Sequence, residues 1–213
     1  MTDQKITPAS LAAQAMGWID PVTRAVVPPI HMASTYLRDE DNGYSSGRIY
    51  ARADNPTFDQ AEATLAALEG GSKALVFSSG MSAATACFLA LAPGDHVVVP
   101  KVMYWSLRNW LATFATHWGL EVDFVDADRT DALAAAVRPG MTKLVWIETP
   151  ANPTWCVTDI AAAADIAHRA GALLGVDSTV ATPVLTRPIE FGADIVMHSA
   201  TKYLNGHSDI IAG

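Results

Sequence analysis

The stretch Asp194-Ile195-Val196-Met197-His198-Ser199-Ala200-Thr201-Lys202-Tyr203-Leu204-Asn205-Gly206 decides how the chain reads. Asp194 to His198 is a short apolar run of the buried-strand type. It feeds a Ser-Ala-Thr turn and then a single lysine. Most lysines stay on exposed helical faces, because taking an ammonium out of water is costly. Alone, Lys202 is an ordinary lysine in a surface turn. One chemistry uses the less ordinary placement: a neutral amine, held in a partly dry pocket, forming a Schiff base with a carbonyl. What the other strand ends deliver decides between the two.

Working outward, apolar β-rich runs recur at Ala74 to Phe77, His96 to Val99, Val122 to Val125, Leu144 to Ile147, Ala172 to Val176, Asp194 to Met197 and Asp209 to Ala212. Helical patterns separate most of them, at Met81 to Leu91, Ser106 to Trp118, Thr130 to Val137 and Ile160 to Ala170. This alternation predicts an α/β fold, a mostly parallel sheet with helices on both faces. Leu107, Trp110, Leu111, Phe114 and Trp118 form one apolar helical stripe, read as core or interface packing. There are no internal repeats. The last run stops at Gly213 inside a predicted strand, which reads as a truncated chain.

Residues 1–57 differ. Pro8, Pro21, Pro28 and Pro29 interrupt them, and beyond a short helix at Ser10 to Gly17 they lack sustained periodicity. They read as an extended arm without a core, lying on the main body or on a neighbouring subunit, and residues 58–213 as the main domain. The arm ends in Tyr50-Ala51-Arg52-Ala53-Asp54-Asn55-Pro56-Thr57, with Asn55 and Thr57 as caps for a helix from Phe58 to Glu69.

Half of the 213 residues are hydrophobic, 17% are charged and the net charge is −8. With no basic block, nucleic acid and anionic membranes are excluded as natural partners. The opening Met-Thr-Asp-Gln-Lys-Ile-Thr-Pro has no signal-peptide core and no apolar run reaches membrane-spanning length, so a cytoplasmic protein is expected. Cys87 and Cys156 form neither a metal motif nor a disulfide framework, and no metal is expected.

In an open α/β sheet, ligands bind outside the carboxyl ends of the strands. After Phe77 comes Ser78-Ser79-Gly80-Met81-Ser82, a helix start with free amides that suits phosphate, although a plain serine cap explains it alone. After Val99 comes Tyr104; after Ile147, the proline-braced loop Glu148 to Thr154 with Asn152. After Val176 comes Asp177, otherwise a capping aspartate; after Met197, Ser199, Thr201 and Lys202. A phosphate cradle, a stacking aromatic, a carboxylate and a lysine together match pyridoxal phosphate. The Gly-x-Gly-x-x-Gly turn of a dinucleotide site is missing, which counts against a nucleotide-binding protein.

At these residues the chain resembles the trans-sulfuration family of pyridoxal-phosphate enzymes over residues 20–213. The motifs are Tyr50-x-Arg52-x-x-Asn55-Pro56-Thr57, Ser79-Gly80-Met81, Glu148-x-Pro150-x-Asn152-Pro153, Asp177-x-Thr179 and Ser199-x-Thr201-Lys202-Tyr203. The resemblance implies the large domain of a fold-type I enzyme, with Lys202 bonded to the cofactor aldehyde and Asp177 partnering the pyridine nitrogen. It implies that Ser79, Gly80, Met81, Thr179, Ser199 and Thr201 join the cofactor site, with Gly80, Met81, Ser199 and Thr201 at the phosphate. Tyr104 would stack on the ring and help move protons, Asn152 would lie beside the phenolic oxygen, and Tyr50 and Arg52 would reach a neighbouring subunit's cofactor in a dimer of dimers. The implied activity is γ-replacement on a homoserine ester in sulfur amino-acid metabolism; cystathionine β-lysis, or a catalytically incomplete cofactor-binding fragment, stand as alternatives. Two departures qualify this. Trp105-Ser106-Leu107 follows the stacking tyrosine where many members have Gly-Gly-Thr, which opens the question of reaction specificity. The family's smaller C-terminal domain, which binds the substrate carboxylate, is absent from this sequence.

Overall fold

The computed structural model describes residues 7–213. The first six residues, part of the predicted arm and of the stretch read for a signal peptide, lie outside the described residues. The chain forms two compact units, one up to Val76 and one from Phe77 to Gly213.

In the first unit, α1 (Pro8–Gln14) runs into a 3₁₀ turn, Ala15–Gly17. The main helix is α2 (Pro56–Glu69). Its start follows from local chemistry: Asn55 is extended and its side chain accepts the Thr57 amide at 2.9 Å, while Pro56 fills a first-turn position that needs no N–H. The Thr57 hydroxyl accepts the His31 amide at 2.9 Å. Between the helices the backbone has a single β-bridge, Thr35 to Tyr50. Val22, Val26, Val27, Ile30 and Met32 stay exposed along this stretch.

The second unit is built on a five-stranded, wholly parallel sheet of β1 (His96–Pro100), β2 (Glu121–Val125), β3 (Thr142–Glu148), β4 (Leu173–Asp177) and β5 (Ile195–Met197), in the order β2-β1-β3-β4-β5. One face packs on α3 (Gly80–Leu89), α4 (Trp105–Trp110) and its continuation through a wide turn, Leu111–Ala115, into α5 (Thr116–Trp118). The other packs on α6 (Thr130–Ala136) and α7 (Ile160–Arg169); α8 (Thr182–Leu185) follows β4. This is the α/β architecture predicted from the alternation of strand and helix patterns.

Strand periodicity sorts the side chains between the two faces. Val97, Val99, Leu144, Trp146 and Met197 meet Phe88, Leu107 and Leu111 on the α3/α4 side. Val98, Val145, Ile147, Leu174 and Val176 meet Leu133, Ile160 and Ala167 on the other. By the same alternation Glu148 and Asp177, the last residues of β3 and β4, project to the α3/α4 side.

Two predicted strands do not form. Phe77, the last residue of the first run, and Gly213, just past the second, exchange both backbone bonds at 2.7 and 3.0 Å in the antiparallel manner. A single pair does not make a ladder, and Leu75, Ile210 and Ile211 remain exposed. The apolar stripe of the α4 region also divides. Leu107 and Leu111 are buried, but the wide turn at Leu111–Ala115 rotates the following face, leaving Phe114 and Trp118 largely exposed and burying Ala115 instead.

Candidate functional site

The C-terminal ends of β3, β4 and β5 and the N-terminus of α3 meet on one side of the sheet. Helix α3 begins at Ser79, whose hydroxyl accepts the Ser82 amide at 3.0 Å while its carbonyl accepts the Ala83 amide at 3.1 Å. The amides of Gly80 and Met81 are left without an acceptor among the described residues, so the positive start of α3 carries two unpaired donors. Gly80 is required by close approach: a Cβ there would stand 2.7 Å from Ser199 Cβ. Gly213 lies as tightly on the other flank, its would-be Cβ 2.4 Å from the Ser79 carbonyl oxygen. Thr201 completes this cradle. Its hydroxyl accepts the Ala212 amide at 3.1 Å and its own amide donates to the Ala212 carbonyl at 3.1 Å.

Asp177 is buried, and both bonds it receives fall on Oδ1: the Thr179 hydroxyl at 2.6 Å and the Thr179 amide at 3.0 Å. The Thr179 oxygen in turn accepts the Ser199 amide at 2.8 Å, which ties the end of β4 to the turn after β5. Burial pushes the Asp177 carboxyl above its ordinary range; the Thr179 bonds and the nearby His198 charge pull it back. The predicted role in capping is thus present too, in the Thr179 amide bond.

Lys202 sits in the turn after β5, its amide donating to the Ser199 carbonyl at 3.0 Å and its carbonyl accepting the Gly206 amide at 2.8 Å. Its side chain is exposed rather than partly dry, because β5 is a short edge strand with Ile195 and Val196 only half-buried. Tyr104 and Asn152 stand on the rim, both exposed. The structure therefore brings together Ser79, Gly80, Met81, Asp177, Thr179, Ser199, Thr201 and Lys202, with Tyr104 and Asn152 on flanking loops. Tyr50 and Arg52 belong to the first unit, where the Arg52 guanidinium lies 5.3 Å over the Tyr50 ring. Among the described residues no group of three or more His, Cys, Asp or Glu side chains could hold a metal, and no helix is long and apolar enough to cross a membrane.

One residue without an assigned role in the sequence emerges here. Glu148 Oε2 accepts the Tyr104 amide at 2.6 Å and Oε1 accepts the Asn152 amide at 2.9 Å. Glu148 pairs with Asp177 in the β3–β4 register. Burial first, and the Asp177 charge second, push its carboxyl up to about 7. The signal was present in its position, since it shares strand parity with Trp146. Register with Asp177, however, is not written in a single strand.

This shift has a consequence for stability. Folding raises the proton affinity of Glu148, so between pH 4.5 and about 7 the folded chain binds more protons than the unfolded one. Stability therefore falls as pH rises through that window and levels above it. At roughly 1.4 kcal/mol per unit the loss is about 3 kcal/mol. Urea denaturation of the full chain from pH 4.5 to 8 is expected to show this slope, and Glu148→Gln to flatten it.

A helix N-terminus, a buried carboxylate and a lysine beyond the carboxyl edge of a parallel sheet stand where open α/β proteins place their ligands. The Cys/Met metabolism PLP-dependent enzyme family model matches residues 9–213. The cystathionine gamma-synthase of Mycobacterium bovis is 44% identical over 208 residues, covering 97% of this chain and 53% of that protein. The cystathionine beta-lyase MetC of Bacillus subtilis is 42% identical over 191 residues, covering 90% and 48%. The crystal structure of metB from Corynebacterium glutamicum superposes with a TM-score of 0.90 at 37% identity, covering 97% of this chain and 55% of that one. The chain belongs to the Cys/Met metabolism PLP-dependent enzyme family. It spans about half the length of the curated relatives it matches.

Proposed function

We propose that this chain carries the cofactor site of an enzyme of sulfur amino-acid metabolism that performs γ-replacement on a homoserine ester. The observation that carries the cofactor reading is the pair of acceptor-less amides, Gly80 and Met81, set against Ser199 and flanked by Asp177 and Lys202. The residues present fit pyridoxal phosphate: two orphan donors at the start of α3, where Gly80 lets Ser199 pack close, suit the phosphate. Ser199 and Thr201 extend that cradle from the β5 turn. Once bound, the cofactor supplies a carbonyl for amines and a protonated ring that draws electron density from the carbon beside the substrate nitrogen.

Asp177 would hold the proton on the ring nitrogen, offering Oδ2 because Thr179 occupies Oδ1. Thr179 holds Asp177 in place and, through the Ser199 amide, links that carboxylate to the phosphate side. Lys202 Nζ would be the amine that holds the cofactor's carbonyl and, when free and neutral, the base for the proton on the carbon beside the substrate nitrogen. Tyr104 would cover one ring face and assist proton movement, and Asn152 would lie beside the phenolic oxygen. Tyr50 and Arg52 act on a neighbouring subunit's cofactor within a homo-oligomer in the cytoplasm, a dimer of dimers. Residues 1–57 are the arm that makes this reach, and 58–213 the cofactor domain.

The γ-replacement reading is supported by the relative named cystathionine gamma-synthase, which matches 97% of the chain. The test is the full chain mixed with pyridoxal phosphate, then with an O-acyl homoserine and cysteine, or with cystathionine alone. Cystathionine formed in the first mixture supports γ-replacement; pyruvate released in the second replaces it with β-lysis. A chromophore trapped on Lys202 by borohydride without turnover leaves the chain as a cofactor-binding module. No adduct on Lys202 overturns the cofactor reading.

A further inference from the structure

Glu148 is the buried carboxylate that the chemistry above leaves unused. It is 6% exposed, and the groups favouring its charged form are two backbone amides, with no cation among them. Burying a carboxylate on such terms is costly unless its bonds are specific. The amides come from different loops: Tyr104 follows β1, and Asn152 follows β3. Those loops deliver the two residues assigned to the cofactor ring. We propose that Glu148 is the positioning residue of this site, one carboxylate that clamps both rim loops so that the aromatic cover and the phenolic-oxygen contact are set as a unit. This assignment of the clamp to the ring rests on the cofactor reading above.

The geometry makes the demand on this position specific. A carboxylate presents two acceptor oxygens, and each here receives one N–H. A glutamine presents one oxygen and one NH₂, so one loop meets a donor instead of an acceptor and is released. An aspartate keeps both oxygens on a stem one methylene shorter and cannot span both loops from the end of β3. The charged groups around Glu148 are Asp177 on β4 and, acting on Asp177, His198 after β5.

Two measurements on the full chain test the clamp. In wild-type, ligand-free protein, the ¹⁵N-resolved amide protons of Tyr104 and Asn152 are expected to follow one shared titration curve, because both report the same carboxylate. Separate curves, or no response from either, overturn the clamp without any variant having to fold. With pyridoxal phosphate bound, Glu148→Gln is expected to keep the borohydride-trapped adduct on Lys202. Its visible circular dichroism per bound chromophore should drop by about twofold or more, since a freed loop no longer orients the ring. A residue that only supports the fold would lower thermal stability and leave that per-chromophore signal unchanged, and such a result overturns the proposal. A wild-type chain whose two amides titrate together but which leaves no adduct on Lys202 overturns the cofactor reading and, with it, the clamp's assignment to that ring.

Discussion

Lys202→Arg is expected to leave no pyridoxyl group on the peptide that carries residue 202 after borohydride, although the chain still folds and still takes up the phosphate. The side chain is exposed and its ammonium has no ion-pair partner among the described residues, so exchanging it costs the fold little. The cradle of Gly80, Met81, Ser199 and Thr201 is untouched, and Arg keeps the positive charge near it. What is lost is the amine. A guanidinium is never neutral at accessible pH and neither attacks a carbonyl nor accepts a proton. The base role alone is worth roughly 10²–10⁴-fold in any turnover the parent enzyme shows. Peptide mapping after borohydride is the deciding readout: an adduct elsewhere in Lys202→Arg, matched by the same adduct in wild type, would remove Lys202 from the reaction.

How much of this was legible in the sequence depends on what each residue needed. The strands β1, β3 and β4 were readable because continuous apolar runs are what a sheet covered on both faces demands. Ala74 to Phe77 and Asp209 to Ala212 have the same composition, yet composition does not say how many backbone pairs will form; Phe77 and Gly213 make one. The wide turn at Leu111–Ala115 has no composition signal either, and it moved Phe114 and Trp118 off the core face that a 3.6-residue period assigns them. Within the site, Ser79, Gly80 and Asp177 could be singled out because each stands at the end of a strand pattern, and Lys202 because it lies in the turn after one. Glu148 shares that placement, but its meaning lies in which residue stands opposite on the next strand and which loops reach it. Register and loop closure are tertiary facts.

Asp177→Asn should separate stability from function more sharply than any other change in this chain. Asparagine keeps an oxygen where Thr179 donates, so the link from Thr179 to the Ser199 amide survives and the loop stays in place. What disappears is a buried charge. Burial already pushes the Asp177 carboxyl up, which means that near neutral pH its ionised form is held at a cost. The ligand-free variant is therefore expected to melt at a higher temperature than wild type at pH 7.5, as happens where a site holds a destabilised group for its chemistry. The neighbouring carboxyl responds as well. Asp177 is the second cause of the rise in Glu148, so the shared midpoint of the Tyr104 and Asn152 amides should move down from about 7. Function moves the other way: without a carboxylate to keep the ring nitrogen protonated, turnover should fall by about 10²–10³-fold, the scale of a lost preorganised electrostatic contact. A variant that melts lower, with the Glu148 midpoint unmoved, would mean that the two carboxyls do not share one dry pocket, and the electrostatic account of this site would have to be abandoned.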